Sequence, residues 1–131
     1  MSASSPFSYA IVRIVPRVER GEQINAGVIV FCRPLDYLAA RTQLDEARLA
    51  AIAPGLDPGD VRPHLEAIER IAAGDPAAGP IARLDTTQRF HWLVAPSSTI
   101  IQPSEVHTGL CGDTGEQLDR LFRELVLTTP A

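Results

Sequence analysis

Residues 7–33 read FSYAIVRIVPRVERGEQINAGVIVFCR. They contain two apolar runs rich in β-branched residues, 9–15 and 26–33, on either side of a charged connector. Runs of this length that are bounded by Pro or Gly are typical of β-strands. Because the connector is short, we expect the two strands to pair antiparallel as a hairpin. A hairpin alone is marginal in water, so later parts of the chain must cover it.

Both faces of the predicted hairpin are largely apolar, which indicates central strands of a sheet. In the second strand, alternation predicts that four side chains share one face: Ala26, Val28, Val30 and Cys32. Arg13 is the exception in the first strand. A charge inside an apolar run must reach a partner or water, because burying it alone is costly.

The remaining chain supplies further strands and helices. We predict strands over 37–42, 89–95 and 99–102, and helices over 46–53, from Asp57 or Asp60 to residue 73, and over 115–126. Thr114 and Gln117 match a capping box for the last helix. We expect residues 77–88 and 103–113 to be connectors.

This order of elements predicts the fold class. Strands followed by helices favour an α+β fold, with a mostly antiparallel sheet of about five strands and about three helices packed on one of its faces. We expect a single domain over residues 7–128, preceded by a flexible tail over residues 1–6. A chain of 131 residues can bury a core without disulfides or metal.

The charge of the chain limits the classes of partner. The formal net charge is −4, which argues against binding to nucleic acid or to an anionic membrane through bulk electrostatics. All 12 basic residues are Arg, and the chain has no Lys. Schiff-base chemistry on a lysine is therefore excluded.

The cysteines and histidines indicate a reduced compartment and no bound metal. The chain has two Cys and three His, and they show no spacing typical of metal ligands. The first residues have no apolar signal region, and no apolar run is long enough to span a membrane. We therefore expect a cytoplasmic protein with free thiols, no cofactor and no membrane partner.

The hairpin connector is the first candidate site. It carries Arg17, Glu22 and Asn25. One interpretation is a solvated loop tip. The other is that Glu22 and Asn25 stand at the mouth of a site and orient a partner group.

Three arginines form the second candidate site. Arg13, Arg41 and Arg89 each fall within a predicted strand. If those strands are neighbours in a suitable register, the three guanidinium groups can converge on an anion such as phosphate or carboxylate. The other interpretation is that each arginine pairs with Asp or Glu, or faces water.

A histidine in the segment 103–113 forms the third candidate site. His107 and Thr108 stand near Ser97, Ser98 and Ser104 in the sequence, so His107 is a candidate general base. Alternatively, His107 holds the loop through hydrogen bonds. Cys111 suggests a Cys/His nucleophile, but no residue of the sequence identifies a third partner. No phosphate-binding loop or metal motif occurs.

Two segments resemble a known bacterial family. They are residues 9–28, YAIVRIVPRVERGEQINAGV, and residues 89–110, RFHWLVAPSSTIIQPSEVHTGL. They are similar to the family catalogued as domain of unknown function 3037, and the patterns Gly-Glu-x-x-Asn and Val-His-Thr-Gly-Leu are the most specific parts. Ala26 stands where members of that family typically have Val. The resemblance carries no catalytic residue, but members are often encoded beside HipA-like kinases, which implies a protein partner.

These observations leave two hypotheses for function. The first is a small interaction or ligand-binding module, accessory to a HipA-like kinase; a homodimer that uses the flat apolar strand faces is a further possibility. The second is an enzyme or nucleic-acid-processing protein that acts on a phosphorylated substrate. In the second, the three arginines bind the anion, and Glu22 or His107 acts as the acid or base.

Overall fold

The computed structural model describes residues 4–97 and 99–127 of the chain. The predictions that concern residues 1–3, Ser98 and Thr128 lie outside the described residues. Within the described residues the chain forms five strands and four helices: β1 Ser5–Ile14, β2 Ile24–Cys32, β3 Tyr37–Thr42, α1 Glu46–Ile52, α2 Pro58–Ala73, α3 Thr86–Leu93, β4 Ile101–Pro103, β5 His107–Cys111 and α4 Thr114–Leu125.

The five strands form one antiparallel sheet, as the sequence predicts, and β1 lies at its centre. The strand order is β3-β2-β1, and the far side of β1 is shared by two short strands. Strand β5 pairs with residues 5–9 of β1, and β4 pairs with residues 12–14. The hairpin of β1 and β2 is confirmed. Strand β1 begins at Ser5, earlier than the domain boundary that we predicted at residue 7.

A β-bulge in β2 changes which side chains share a face. Val12 pairs with Gly27, and the next residue, Arg13, pairs with Asn25, so Ala26 has no partner on β1. The bulge reverses the alternation. Ala26 therefore packs in the same cluster as Ile29, and the prediction that it shares a face with Val28 is wrong.

Helices cover both faces of the sheet, which corrects the prediction of one covered face. On one side, called here the α2 face, the core includes Val12, Phe31 and side chains of α1, α2 and α3. On the other, called here the α4 face, Val28 and Val30 pack against Leu118 and Phe122 of α4, among others. Two-sided burial explains why both faces of β2 are apolar.

The prediction of a strand over 89–95 is wrong, because residues 89–93 belong to α3. Asp85 and Gln88 form a capping box that starts the helix. Phe90 and Leu93, three residues apart, point into the core, and the Phe90 ring stacks on Phe31 with 4.6 Å between centroids. This helix is the fourth, where the sequence predicts about three.

The prediction of a connector over 103–113 is also wrong, because residues 107–111 form β5. Gly109 led to that prediction, since Gly is typical of loops. In the structure Gly109 lies against the Phe7 ring, which leaves no room for a side chain. The cap of α4 is Asp113, which accepts a hydrogen bond from the Glu116 N–H, and not the predicted Thr114.

The other predicted helices and the third strand are confirmed with small shifts of their ends. Asp45 and Asp57 cap α1 and α2, each through a side-chain oxygen that accepts a backbone N–H. Among the described helices, none is both long and apolar enough to cross a membrane.

Candidate functional site

The predicted site residues fall in five separate places on the fold. Arg13 and Asn25 lie on the α4 face of the sheet. Arg17 and Glu22 lie in the hairpin connector, His107 and Thr108 lie on β5, and Arg41 and Arg89 lie on opposite sides of the molecule.

Arg13 is the middle member of a polar row across three strands. Its partner on β2 is Asn25, and its partner on β4 is Gln102. Directly opposed residues of antiparallel strands have Cβ atoms about 5 Å apart on the same face. All three residues are partly buried. Arg13 and Asn25 were predictable from the sequence, whereas Gln102 was not, because the pairing of β1 with β4 is a long-range contact.

The two amides of this row are held in place by backbone carbonyls. Asn25 Nδ2 donates to Leu125 O in the last turn of α4, at 3.0 Å. Gln102 Nε2 donates to Thr99 O at 2.9 Å. Arg13, in contrast, forms no hydrogen bond or ion pair with any described residue, and its Nε is fully buried without an acceptor.

The connector has a mixed-charge surface of local ion pairs. Arg17 Nε lies 2.7 Å from Glu19 Oε1, and Arg20 pairs with Glu22. A backbone hydrogen bond, followed by the Arg17 guanidinium, lowers the pKa of Glu19. The connector and the end of α1 border an open cleft of about 530 Å³. Because Arg17 and Arg20 are already paired with glutamates of the connector, we interpret the connector as a solvated loop tip.

The three arginines do not converge. Arg41 Nη1 lies 2.7 Å from Asp119 Oδ1, and its guanidinium lies over the Phe122 ring, 4.4 Å from the centroid. Both contacts are with α4. Arg89 lies on α3, against the opposite face, where its terminal nitrogens donate to the carbonyls of Leu84 and Ala72. Two of the three arginines therefore serve to attach helices.

His107 packs on an aromatic ring of the neighbouring strand. Its imidazole stacks on Tyr9 with centroids 5.1 Å apart, and its Nε2 lies 3.9 Å from Glu105 Oε1. The hydroxyl of Ser104 accepts from the Ile11 N–H at 2.8 Å and donates to Glu105 O. The Ser104 hydroxyl therefore holds β1 in place. Among the described residues, no hydroxyl forms a hydrogen bond with His107.

The Cys111 thiol has the properties of a core residue. It is buried on the α4 face in the same cluster as Cys32, and both thiols are free. Burial, followed by Cys32 and Asp113, raises the pKa of Cys111. A nucleophilic cysteine needs the opposite shift. His107 lies four residues away along β5, about 13 Å at strand spacing, too far to act as its base.

A groove beside α3 is a feature that the sequence did not predict, because α3 was predicted as a strand. The groove has a volume of about 430 Å³ and lies between α2, the end of α3 and β4. Trp92, half exposed, stands at its rim, and its lining is largely apolar apart from His64 and the hydroxyls of Ser97 and Thr99.

Comparison with known proteins gives one match. The model of the family described as "Protein of unknown function (DUF3037)" matches residues 9–126. The chain belongs to this family. No curated protein and no solved structure matches the chain. The DUF3037 match includes the polar row around Arg13 and all of β5. No group of three or more His, Cys, Asp or Glu side chains suited to a metal ion occurs in residues 4–97 and 99–127 of this DUF3037 protein.

Proposed function

We propose that this DUF3037 protein is a bacterial, cytoplasmic interaction module that binds an extended segment of a HipA-like kinase along the outer edge of β5. A strand edge presents alternating backbone N–H and C=O groups, which another extended segment can pair with. The observation that carries the proposal is the difference between the two edges of the sheet.

The edge formed by β5 is open and flanked by apolar side chains. Among the described residues, β5 pairs with β1 and with no other strand. Leu110 is 70% exposed and Val106 is 41% exposed. The strand contains no Pro, Asp, Glu, Lys or Arg. Exposed edges are usually protected by charges, Pro or a covering element, so this edge has the character of a binding surface.

The edge formed by β3 is protected. Helix α2 packs against β3, and the Glu69 carboxylate accepts from both the N–H and the hydroxyl of Thr42, at 2.8 and 2.9 Å. A side chain that occupies an edge donor competes with an incoming strand. The contrast with β3 supports a specific use of β5.

A second copy of the chain is another occupant that β5 fits. Two β5 strands centred on Gly109 can pair antiparallel without placing like charges opposite each other. The tendency of family members to be encoded beside HipA-like kinases favours the kinase. Self-association is therefore an outcome that the test must distinguish.

The enzyme hypothesis has less support. It requires Arg13, Arg41 and Arg89 at one anion, but Arg41 is paired with Asp119 and Arg89 is bound to backbone carbonyls. Of these three arginines, only Arg13 would be available to bind the phosphate group of a substrate in an enzyme or a nucleic-acid-processing protein.

The test is titration calorimetry with the purified HipA-like kinase encoded near the gene. We expect binding at micromolar concentrations and at least tenfold weaker binding for Leu110→Lys, because a lysine on an edge strand opposes pairing. Val18→Lys is the matched control, since Val18 is 63% exposed and lies in the hairpin connector, beyond the end of β1 opposite to the residues that pair with β5. If the wild-type protein does not bind, or if both variants bind equally well, the proposal is wrong.

Sedimentation analysis of the protein alone tests whether a second copy of the chain binds at the β5 edge. We expect a monomer at the concentrations used for calorimetry. A dimer that Leu110→Lys dissociates would assign the β5 edge to self-association instead of to the kinase.

A further inference from the structure

We infer that Arg13 is the centre of a binding site for one carboxylate group, with Asn25 and Gln102 at its sides. This site lies on the α4 face of the sheet and does not depend on the β5 edge. The ligand is defined by its chemistry, a singly charged planar carboxylate, which either a small organic acid or an acidic side chain of the partner can provide.

The first argument is the missing counter-ion of a partly buried charge. Half of the twelve arginines form an ion pair with a described carboxylate. Among the described residues, six arginines lie within 3.2 Å of a carboxylate oxygen: Arg17, Arg20, Arg41, Arg62, Arg70 and Arg120. Those six are largely exposed, where an ion pair contributes little. Arg13 is more buried, where an unpaired charge costs more, and no described carboxylate lies within ion-pair distance of it.

The second argument comes from a comparison with Arg89. Both arginines have a fully buried Nε without an acceptor. The terminal nitrogens of Arg89 donate to two backbone carbonyls, which accounts for its burial. The terminal nitrogens of Arg13 have no acceptor among residues 4–97 and 99–127. Because the buried Nε is closed to a ligand, a carboxylate would bind the two terminal nitrogens, which form a planar fork.

The third argument is that the neighbours of Arg13 are oriented donors. Each side-chain amide has two N–H groups. Asn25 uses one of them for Leu125 O, and Gln102 uses one for Thr99 O. Each amide therefore keeps one N–H, and its carbonyl bond restricts its rotation. A guanidinium with a buried Nε, placed between two amides that are each held by one hydrogen bond, offers several donors to an oxygen ligand.

The charge of the surroundings selects a carboxylate over a phosphate. The row contains one positive charge and two neutral amides. Asn25 also contacts the carboxyl end of α4, and the end of a helix dipole is partially negative there. A single cation beside a negative helix end suits one negative charge and disfavours a dianion.

The test observes the side-chain N–H of Arg13 by ¹⁵N nuclear magnetic resonance during titration with sodium acetate. We expect saturable shifts of the Arg13 Nε–H signal and of the side-chain amide signals of Asn25 and Gln102, and the two amide signals should no longer shift in Arg13→Met. Sodium chloride at equal ionic strength should give no saturable shift, and inorganic phosphate should bind more weakly than acetate. A shift of the same size with chloride, tighter binding of phosphate, or no shift with acetate would overturn the assignment.

A stability measurement separates a binding role from a structural one. We expect Arg13→Met to raise Tm, because a long apolar side chain replaces an uncompensated charge, whereas Arg83→Met at an exposed position should leave Tm unchanged. A Tm of Arg13→Met below the wild-type value would show that Arg13 holds the fold together, and the inference would be wrong.

The same variants show whether the carboxylate comes from a small acid or from the protein partner. If Arg13→Met loses acetate binding but keeps its affinity for the kinase, the ligand is a small acid. If it also weakens the kinase complex, the carboxylate belongs to the partner. Leu110→Lys should retain acetate binding, so a failure of the β5 proposal leaves this inference intact.

Discussion

Gly109 of β5 lies so close to the Phe7 ring of β1 that a Cβ atom at residue 109 would come within 2.9 Å of Phe7 Cε1. Phe7 is only 5% exposed, and it stacks on Tyr9, so its ring has little room to move. The absence of a side chain at residue 109 allows β5 to pair this closely with β1. The outer edge of β5, on which the proposed function rests, depends on it.

Gly109→Ala is expected to lower the free energy of unfolding by about 1–3 kcal/mol, the usual cost of overpacking a filled site. Urea denaturation measures the change. Gly55→Ala is the control, since a Cβ at residue 55 meets no atom within 4 Å. Equal stability of the two variants would mean that β5 is not held against Phe7 in this way.

Ser104→Ala is expected to lower the free energy of unfolding by about 1–3 kcal/mol, because it leaves the buried Ile11 N–H without an acceptor. Thr108→Ala should change stability by less than about 0.5 kcal/mol, since Thr108 is exposed. Chemical denaturation of both variants checks this. If Ser104→Ala is as stable as the wild type, the hydroxyl is free for another role, and a partnership with His107 deserves a second test.

Asp85→Ala is expected to lower the free energy of unfolding by about 0.5–2 kcal/mol, since it removes the cap of α3. Asp85→Ser should recover most of the loss, because serine also caps helices. Circular dichroism during denaturation measures both. A neutral Asp85→Ala would argue that residues 86–93 do not depend on this cap.

Stability should fall as the pH rises above about 8.5, the usual pKa of a free cysteine thiol. Burial raises the pKa of Cys111, and burial, followed by Asp119 and Asp113, raises the pKa of Tyr37. The unfolded chain therefore loses these protons at a lower pH than the folded chain, and ionisation favours unfolding. The chain has no Lys, so few other side chains titrate in this range.

Cys111→Ala should remove part of this alkaline loss. The measurement is the free energy of unfolding between about pH 7 and pH 10.5, compared for the wild type and the variant. Parallel curves for the two proteins would contradict the assignment to Cys111.

The hairpin of β1 and β2 was predictable because its signal is local. Both strands are continuous apolar runs that end at Pro or at polar residues, and the connector between them is short. The bulge was not predictable from the same runs. The bulge lies in the register of β2 on β1, where Val12 pairs with Gly27 and Arg13 with Asn25, and this register is seen only in the folded sheet.

The two wrong elements have opposite causes. Around α3, the apolar residues Phe90, Trp92 and Val94 alternate as they would in a strand. The capping residues Asp85 and Gln88 were the signal that could have identified a helix. In β5, Gly109 imitates a loop, and no local signal indicates that it contacts Phe7. One predicted strand is a helix and one predicted connector contains a strand. The number of strands therefore stays at five, whereas the number of helices rises from three to four.

The candidate site was predictable only in part, because its residues act through contacts between strands. Arg13 was conspicuous as a charge within an apolar run. Its neighbour Gln102 was not, since the register of β4 on β1 is set by the whole fold. Arg41 and Arg89 carry the same charge as Arg13. Only the structure shows that Arg41 is paired with Asp119 and that Arg89 donates to the carbonyl of Leu84.

The most direct test of the account is amide hydrogen exchange of the protein with and without the purified HipA-like kinase. The account predicts slower exchange in residues 107–111 when the kinase binds, with exchange in residues 37–42 of β3 unchanged. Protection confined to β3 or to the groove beside Trp92, or no protection at β5 in a complex that forms, would contradict it.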